Sequence, residues 1–130
     1  MTVTRLDHVN LRTAALAEMI AWYGEVLGLE PGPRPPFPFG GAWLYCGGQP
    51  VIHLVEVERK ATAEDPALEH FALAASGLDA FLARLRARGI AFDCREVPGF
   101  GITQVNLWDP DGNHLHVDFA SAPAGGGAPG

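Results

Sequence analysis

The constraint that bears hardest on this chain is that it reads twice. Its two halves align at an offset of about 62 residues, so the fold has to be built from two copies of one supersecondary unit. In the first half an extended run, Val3 to Leu11, leads into Ala14 to Leu27, where Leu16, Met19, Ile20, Tyr23 and Leu27 recur at helical spacing before a stop at Gly28. In the second, His70 to Ala75 leads into Leu78 to Arg88, with Leu78, Phe81, Leu82 and Leu85 on one side and a stop at Gly89. Three extended segments follow each helix. They are Leu29 to Arg34, Ala42 to Cys46 and Val51 to Val57 in the first half, and Ala91 to Val97, Ile102 to Trp108 and His114 to Phe119 in the second. The repeated order of strand, helix and three strands predicts an α+β fold of two βαβββ modules, over residues 1–60 and 61–120.

Turn residues punctuate the repeat. Asp109-Pro110-Asp111-Gly112-Asn113 is a strong hairpin signal, because Pro presets φ and Gly accepts the positive φ that ends the turn. Gly47-Gly48-Gln49-Pro50 joins the matching pair of segments in the first half. Pro31 to Gly40 (PGPRPPFPFG) predicts a stiff loop that forms neither ladder nor helix, since proline removes donors and restricts its neighbours. Ser121 to Gly130 (SAPAGGGAPG) has nothing to bury and is expected to be a disordered tail.

With 130 residues, 48% of them hydrophobic, the chain has the material for one continuous core without staples. Cys46 and Cys94 show no CxxC spacing, which predicts buried free thiols in a reducing compartment and a cytoplasmic protein. No stretch approaches the roughly 20 apolar residues of a membrane span, and no signal-peptide pattern opens the chain. The net charge of −6 disfavours nucleic acid as a partner. Arg84, Arg86 and Arg88 read as a solvated helix face near a C-terminus, where cations meet the favourable end of the dipole.

The repeat organises four of the five histidines. His8 and His70 sit on the first strand of each half and His53 and His116 on the last, so each is matched by a partner about 62 residues away. Alternation along a strand puts Leu115, Val117 and Phe119 on one face of the last segment and His114, His116 and Asp118 on the other. Around His53 both faces are apolar, so the repeat and not polarity decides its side. If the halves pack about a pseudo-twofold axis, four imidazoles converge, and such a set suits zinc, iron, nickel or copper. An isolated strand histidine satisfied by a backbone bond is the bland alternative for any one of them.

The motifs LDHVNL, AWYGEVLGL, VIHL, EHFAL and DPDGNHLHV together resemble the vicinal oxygen chelate superfamily of glyoxalases, bleomycin resistance proteins and extradiol dioxygenases. The resemblance covers Val3 to Phe119, and GGAWLYCGGQPVIHL resembles a glyoxalase-I-like branch. It implies paired βαβββ modules whose eight strands form an open mixed sheet around one divalent transition metal ion (Fe, Zn, Ni, Mn or Cu), with His8, His53, His70 and His116 as ligands. It also implies a homodimer. Where the family usually ends on DPDGNxIEL, this chain has DPDGNHLHV, so His116 stands in place of a glutamate ligand. Neutral imidazole leaves the metal its full charge and removes the carboxylate that isomerisation uses as a base, which counts against lactoylglutathione lyase activity. Asp118 is expected to orient a ligand imidazole, and His114 to be a rim residue.

Strand parity nominates a lining. Trp43 and Tyr45 should share the face of His53, and Gln104, Asn106 and Trp108 that of His116. A solvated sheet face would carry the same pattern. Phe37, Phe39 and Phe100, in Gly/Pro-rich loops, could close over a bound molecule or pack at a subunit interface, and Arg5, Arg12 and Arg34 are the candidate anion binders. The expected function is a metal-dependent dioxygenase or lyase/isomerase acting on a small, oxygen-chelating and aromatic or apolar substrate. The alternative is a metal-free binding protein of the bleomycin-resistance type.

Overall fold

Eight strands and two helices follow one another in the repeated order, and the hydrogen-bonded ladders divide them into two four-stranded mixed sheets. The structure is a computed structural model that describes residues 1–61 and 64–120; the expected tail at 121–130 lies outside them. The first sheet has the order β1-β4-β3-β2, from β1 (Val9–Thr13), β2 (Glu30–Pro31), β3 (Gly41–Cys46) and β4 (Gln49–Glu56), with helix α1 (Leu16–Leu27) between β1 and β2. The second has the order β5-β8-β7-β6, from β5 (Phe71–Ala75), β6 (Asp93–Val97), β7 (Ile102–Trp108) and β8 (His114–Ala120), with α2 (Leu78–Ala87) after β5. In each sheet the first and last strands of the repeat pair parallel and the others antiparallel. The chain forms two compact units, Met1–Glu64 and Asp65–Gly130, called below the first and second modules.

Each core forms where a helix stripe meets one sheet face. In the first module Met19, Tyr23 and Val26, spaced by four and three, are buried with Leu11, Ala42, Leu44, Ile52 and Leu54 of the strands. In the second Phe81 and Leu85 of α2 and Val105, Leu107, Leu115, Val117 and Phe119 are buried. Each Val, Leu, Ile, Phe or Met among them contributes about 1.5–3 kcal/mol relative to exposure, and their alternation leaves the opposite face of β3, β4, β7 and β8 for polar and aromatic groups. Helix α1 ends as its sequence predicts. Gly28 takes a left-handed φ of 71°, and Leu29, itself buried, donates back to the Tyr23 carbonyl at 3.0 Å.

Several boundaries differ from the sequence reading for identifiable reasons. The first strand begins at Val9, not Val3: its parallel register runs from Val9 opposite Ile52, and two residues upstream stands Pro50, which has no N–H to extend the ladder. His8 and His70 therefore sit one residue ahead of β1 and β5. Helix α1 starts at Leu16, two residues later than Ala14, because the Thr13 hydroxyl accepts the Ala15 N–H at 2.9 Å and holds a turn there. Pro31 does join a ladder, opposite Leu44, but on an edge strand of two residues, where its missing donor costs nothing. Both cysteines are free, yet exposed and not buried: Cys46 borders the Gly47-Gly48 turn and Cys94 lies on the outer strand β6.

Candidate functional site

In the first module, pairing across the sheet places Asn10 and Trp43 on either side of His53, on the face turned away from Ile52 and Leu54. His53 is 8% exposed and its Nε2 donates to the Pro50 carbonyl at 3.1 Å, which leaves Nδ1 with its lone pair. The Trp43 ring stacks on it at 4.1 Å and the His8 ring at 3.7 Å. Burial, and then the neighbouring His8, push the His53 pKa below its ordinary 6.5, which favours the neutral ring that a metal ligand presents. His8 Nδ1 pairs with the Asp7 carboxylate at 2.8 Å, and that bond, with Arg5 beyond it, holds Asp7 below the usual carboxylate range.

Facing Trp43 and His53 is an open cleft of about 120 Å3, completed by Asn10, Arg34, Phe37 and Phe39. Tyr45 shares the strand parity of Trp43, but its hydroxyl donates to the Pro33 carbonyl at 2.5 Å and its ring covers Gly32, so it anchors the proline-rich loop.

The second module carries its histidines among acids. His116, 6% exposed, donates from Nδ1 to Asp118 at 2.5 Å, which leaves Nε2 with its lone pair. The His70 ring lies 4.5 Å from that of His116 and its Nδ1 contacts the Glu69 carboxylate. His114 is not a bystander: Nδ1 meets Glu69 at 3.0 Å, Nε2 meets the Asn106 amide oxygen at 2.8 Å, and Trp108 stacks on the ring at 5.0 Å. Asn106 is in turn held by the Asp93 carbonyl at 3.2 Å. Bonds from His70 and then His114 hold Glu69 below the usual range for its carboxyl. Ligating atoms of Glu69, His70 and His114 all lie within 4.8 Å of one another. Gln104 faces Asp118 across the ladder, while Phe100 is 67% exposed at the turn before β7.

Each module thus brings together the two histidines that the repeat assigns to it, His8 with His53 and His70 with His116. Glu69 is the residue the sequence reading missed. A glutamate next to a strand histidine is expected to face the other way, but β5 starts only at Phe71, so residues 69 and 70 escape strand alternation and both reach His114. A donor set of imidazoles backed by carboxylates or a carbonyl fits a divalent transition metal.

The Glyoxalase/Bleomycin resistance protein/Dioxygenase superfamily model matches residues 5–117. The chain is 32% identical over 123 residues to "Glyoxylase I 4" of Arabidopsis thaliana, covering 88% of this chain and 70% of that protein. It is similar in structure to a glyoxalase family protein from Bacillus anthracis (TM-score 0.77, 26% identity, 93% of this chain and 98% of that one). A lactoylglutathione lyase from Agrobacterium tumefaciens shares the fold (TM-score 0.70, 23% identity, 91% and 95% covered).

Proposed function

We propose, on the premise that this chain belongs to the Glyoxalase/Bleomycin resistance protein/Dioxygenase superfamily, that it is a metal-dependent enzyme acting on a small oxygen-chelating substrate, with His8, His53, His70 and His116 as the metal ligands. One observation carries this reading: the buried strand histidine of each module has one nitrogen held by an oxygen acceptor and the other carrying its lone pair. A divalent transition metal bound there supplies Lewis acidity toward adjacent substrate oxygens.

The chain's own residues do the rest. Asp118 fixes the orientation and tautomer of His116. To Glu69, which meets both His70 and His114, we assign the acceptance of a proton from a substrate carbon beside a carbonyl, the role left vacant where His116 replaces the family's glutamate. Asn106 and Trp108 hold His114, and through it the Glu69 carboxylate, in position. This favours the lyase or isomerase branch over dioxygen chemistry.

Elemental analysis of protein purified without chelators tests the reading. About one divalent transition metal ion per chain is expected, released with uptake of several protons as pH falls below about 6, since imidazole must be neutral to bind. Metal-free protein that takes up none on titration would overturn it. The metal-free binding reading is favoured by one feature, the aromatic cleft of the first module, and would then take precedence.

A further inference from the structure

We infer that the cleft of the first module binds the ring of a monocyclic aromatic carboxylate, with Arg34 pairing its carboxylate group. This deepens the small-molecule reading above and rests on it only for the claim that the bound molecule is a substrate.

The charge points to an anion. Arg34 is half-buried, its Nη2 donates to the Phe39 carbonyl at 2.8 Å, and no carboxylate of the described residues forms an ion pair with it. In a chain with 15 acidic and 9 basic residues, a half-buried guanidinium that no acid has claimed is not an ordinary solvated charge. Glu56 lies close by, against Gly40, without pairing to it. The guanidinium carbon stands 5.0 Å from the Phe37 ring centroid and 5.3 Å from that of Phe39, so those faces already serve a cation and have no call for a second. Arg presents a planar fork that matches a carboxylate with two parallel bonds, and a single guanidinium neutralises one negative charge, not the two of a phosphate monoester.

The size points to one ring. A cavity of roughly 150 Å3 accepts benzene, and drug-sized ligands need roughly 300–1,000 Å3. The cleft of about 120 Å3, open to solvent, is on the scale of a single ring and well below that of a drug-sized ligand. Trp43 and Phe37, 6.4 Å apart and tilted by 52°, supply flat apolar surface of the kind that favours offset or edge-on aromatic contact. The loop is built for standing readiness. Pro33, Pro35, Pro36 and Pro38 stiffen it, the Tyr45 hydroxyl ties it down at Pro33, and Gly41 leaves room that a side chain would fill, since a Cβ there would lie 2.2 Å from the Leu54 carbonyl and 3.0 Å from Arg34 Nη2. Little conformational entropy then remains to be lost on binding.

Calorimetric titration of the full chain, after chelator treatment, compares benzoate, benzamide and acetate. Benzoate is expected to bind at least about tenfold more tightly than either of the others. Arg34→Gln should remove its advantage over benzamide, Arg34→Lys should keep part of it, and Phe37→Leu, at an exposed position that cannot unfold the core, should weaken benzoate and benzamide alike. Equal binding of benzamide and benzoate, equal binding of acetate and benzoate, no saturation by benzoate, or an unchanged benzoate affinity in Arg34→Gln would each overturn the inference. Benzoate preference in a protein that takes up no metal would sink the metalloenzyme reading and leave this one standing; stoichiometric metal without benzoate preference would do the reverse.

Discussion

The two modules share one backbone plan and differ in what they place on it. In the first, the buried strand histidine is held by a backbone carbonyl and stacked between His8 and Trp43, beside an aromatic cleft whose one charge is Arg34. In the second, the matching histidine is held by Asp118, and His70 and His114 converge on Glu69. The buried histidine of one half is flanked by aromatic rings and that of the other is held by a carboxylate. Duplication preserves what the backbone needs, which is the helix stops, the hairpins and the core stripe, and leaves the opposite sheet face free to diverge.

The largest expected effects test whether the cores are equivalent. Leu54→Ala and Leu115→Ala each empty a fully buried site on corresponding last strands, and each should cost about 2–5 kcal/mol in denaturant unfolding. A cost below about 1 kcal/mol for either would show that its module can collapse around the gap.

The next test separates the two ways of holding a buried histidine. Asp118→Asn should lower metal affinity by about 10–100-fold, the usual range for losing an outer partner, and His116→Ala by more. The first module, whose matching partner is a main-chain carbonyl, offers no side chain to remove. Competition with a chromophoric chelator reads both values, and an Asp118→Asn protein with native affinity would break the asymmetry.

The smallest effect is in proton binding. His53 has its pKa lowered on folding, chiefly by burial. The unfolded chain then binds the proton more readily, so this group's contribution to stability is complete above about pH 6.5 and is lost as pH falls from there through the lower folded value. A modest fall in melting temperature over that interval, absent in His53→Gln, is expected. An NMR titration placing His53 at or above 6.5 would contradict it. Glu69 and Asp7, lowered instead by their histidine neighbours, contribute stability above the ordinary carboxylate range and lose it as pH drops below; both are exposed, so this part is slight.

Much of the fold and some of the contacts around the candidate site were legible from residue order. Parity along β3, β4, β7 and β8 put Trp43 abreast of His53, and Asn106 and Trp108 abreast of His116 and His114, because side-chain alternation is a local property of a strand. Glu69 went unnoticed, because it lies two residues before β5 begins and its meeting with His114 bridges 45 residues of chain. His114, expected at the rim, has both nitrogens engaged, and one partner stands 45 residues away in the chain. Tyr45 passed the parity test, yet its hydroxyl length carries it to Pro33 and not into the cleft. Burial of the cysteines was inferred from their general habit, whereas a turn border and an edge strand decide exposure here.

What residue order alone determined is the repeated βαβββ plan, the glycine stops at Gly28 and Gly89, the hairpin at Asp109 to Asn113 and the matching of histidines between halves. All of these follow from short-range rules of backbone geometry and periodicity. What only the tertiary structure decided is which side chains meet: Arg34 over Phe37 and Phe39, Trp43 on His53, Glu69 between His70 and His114. Those contacts depend on where strands begin, how far side chains reach and which ladder neighbours lie abreast, and none of these is a property of a single segment.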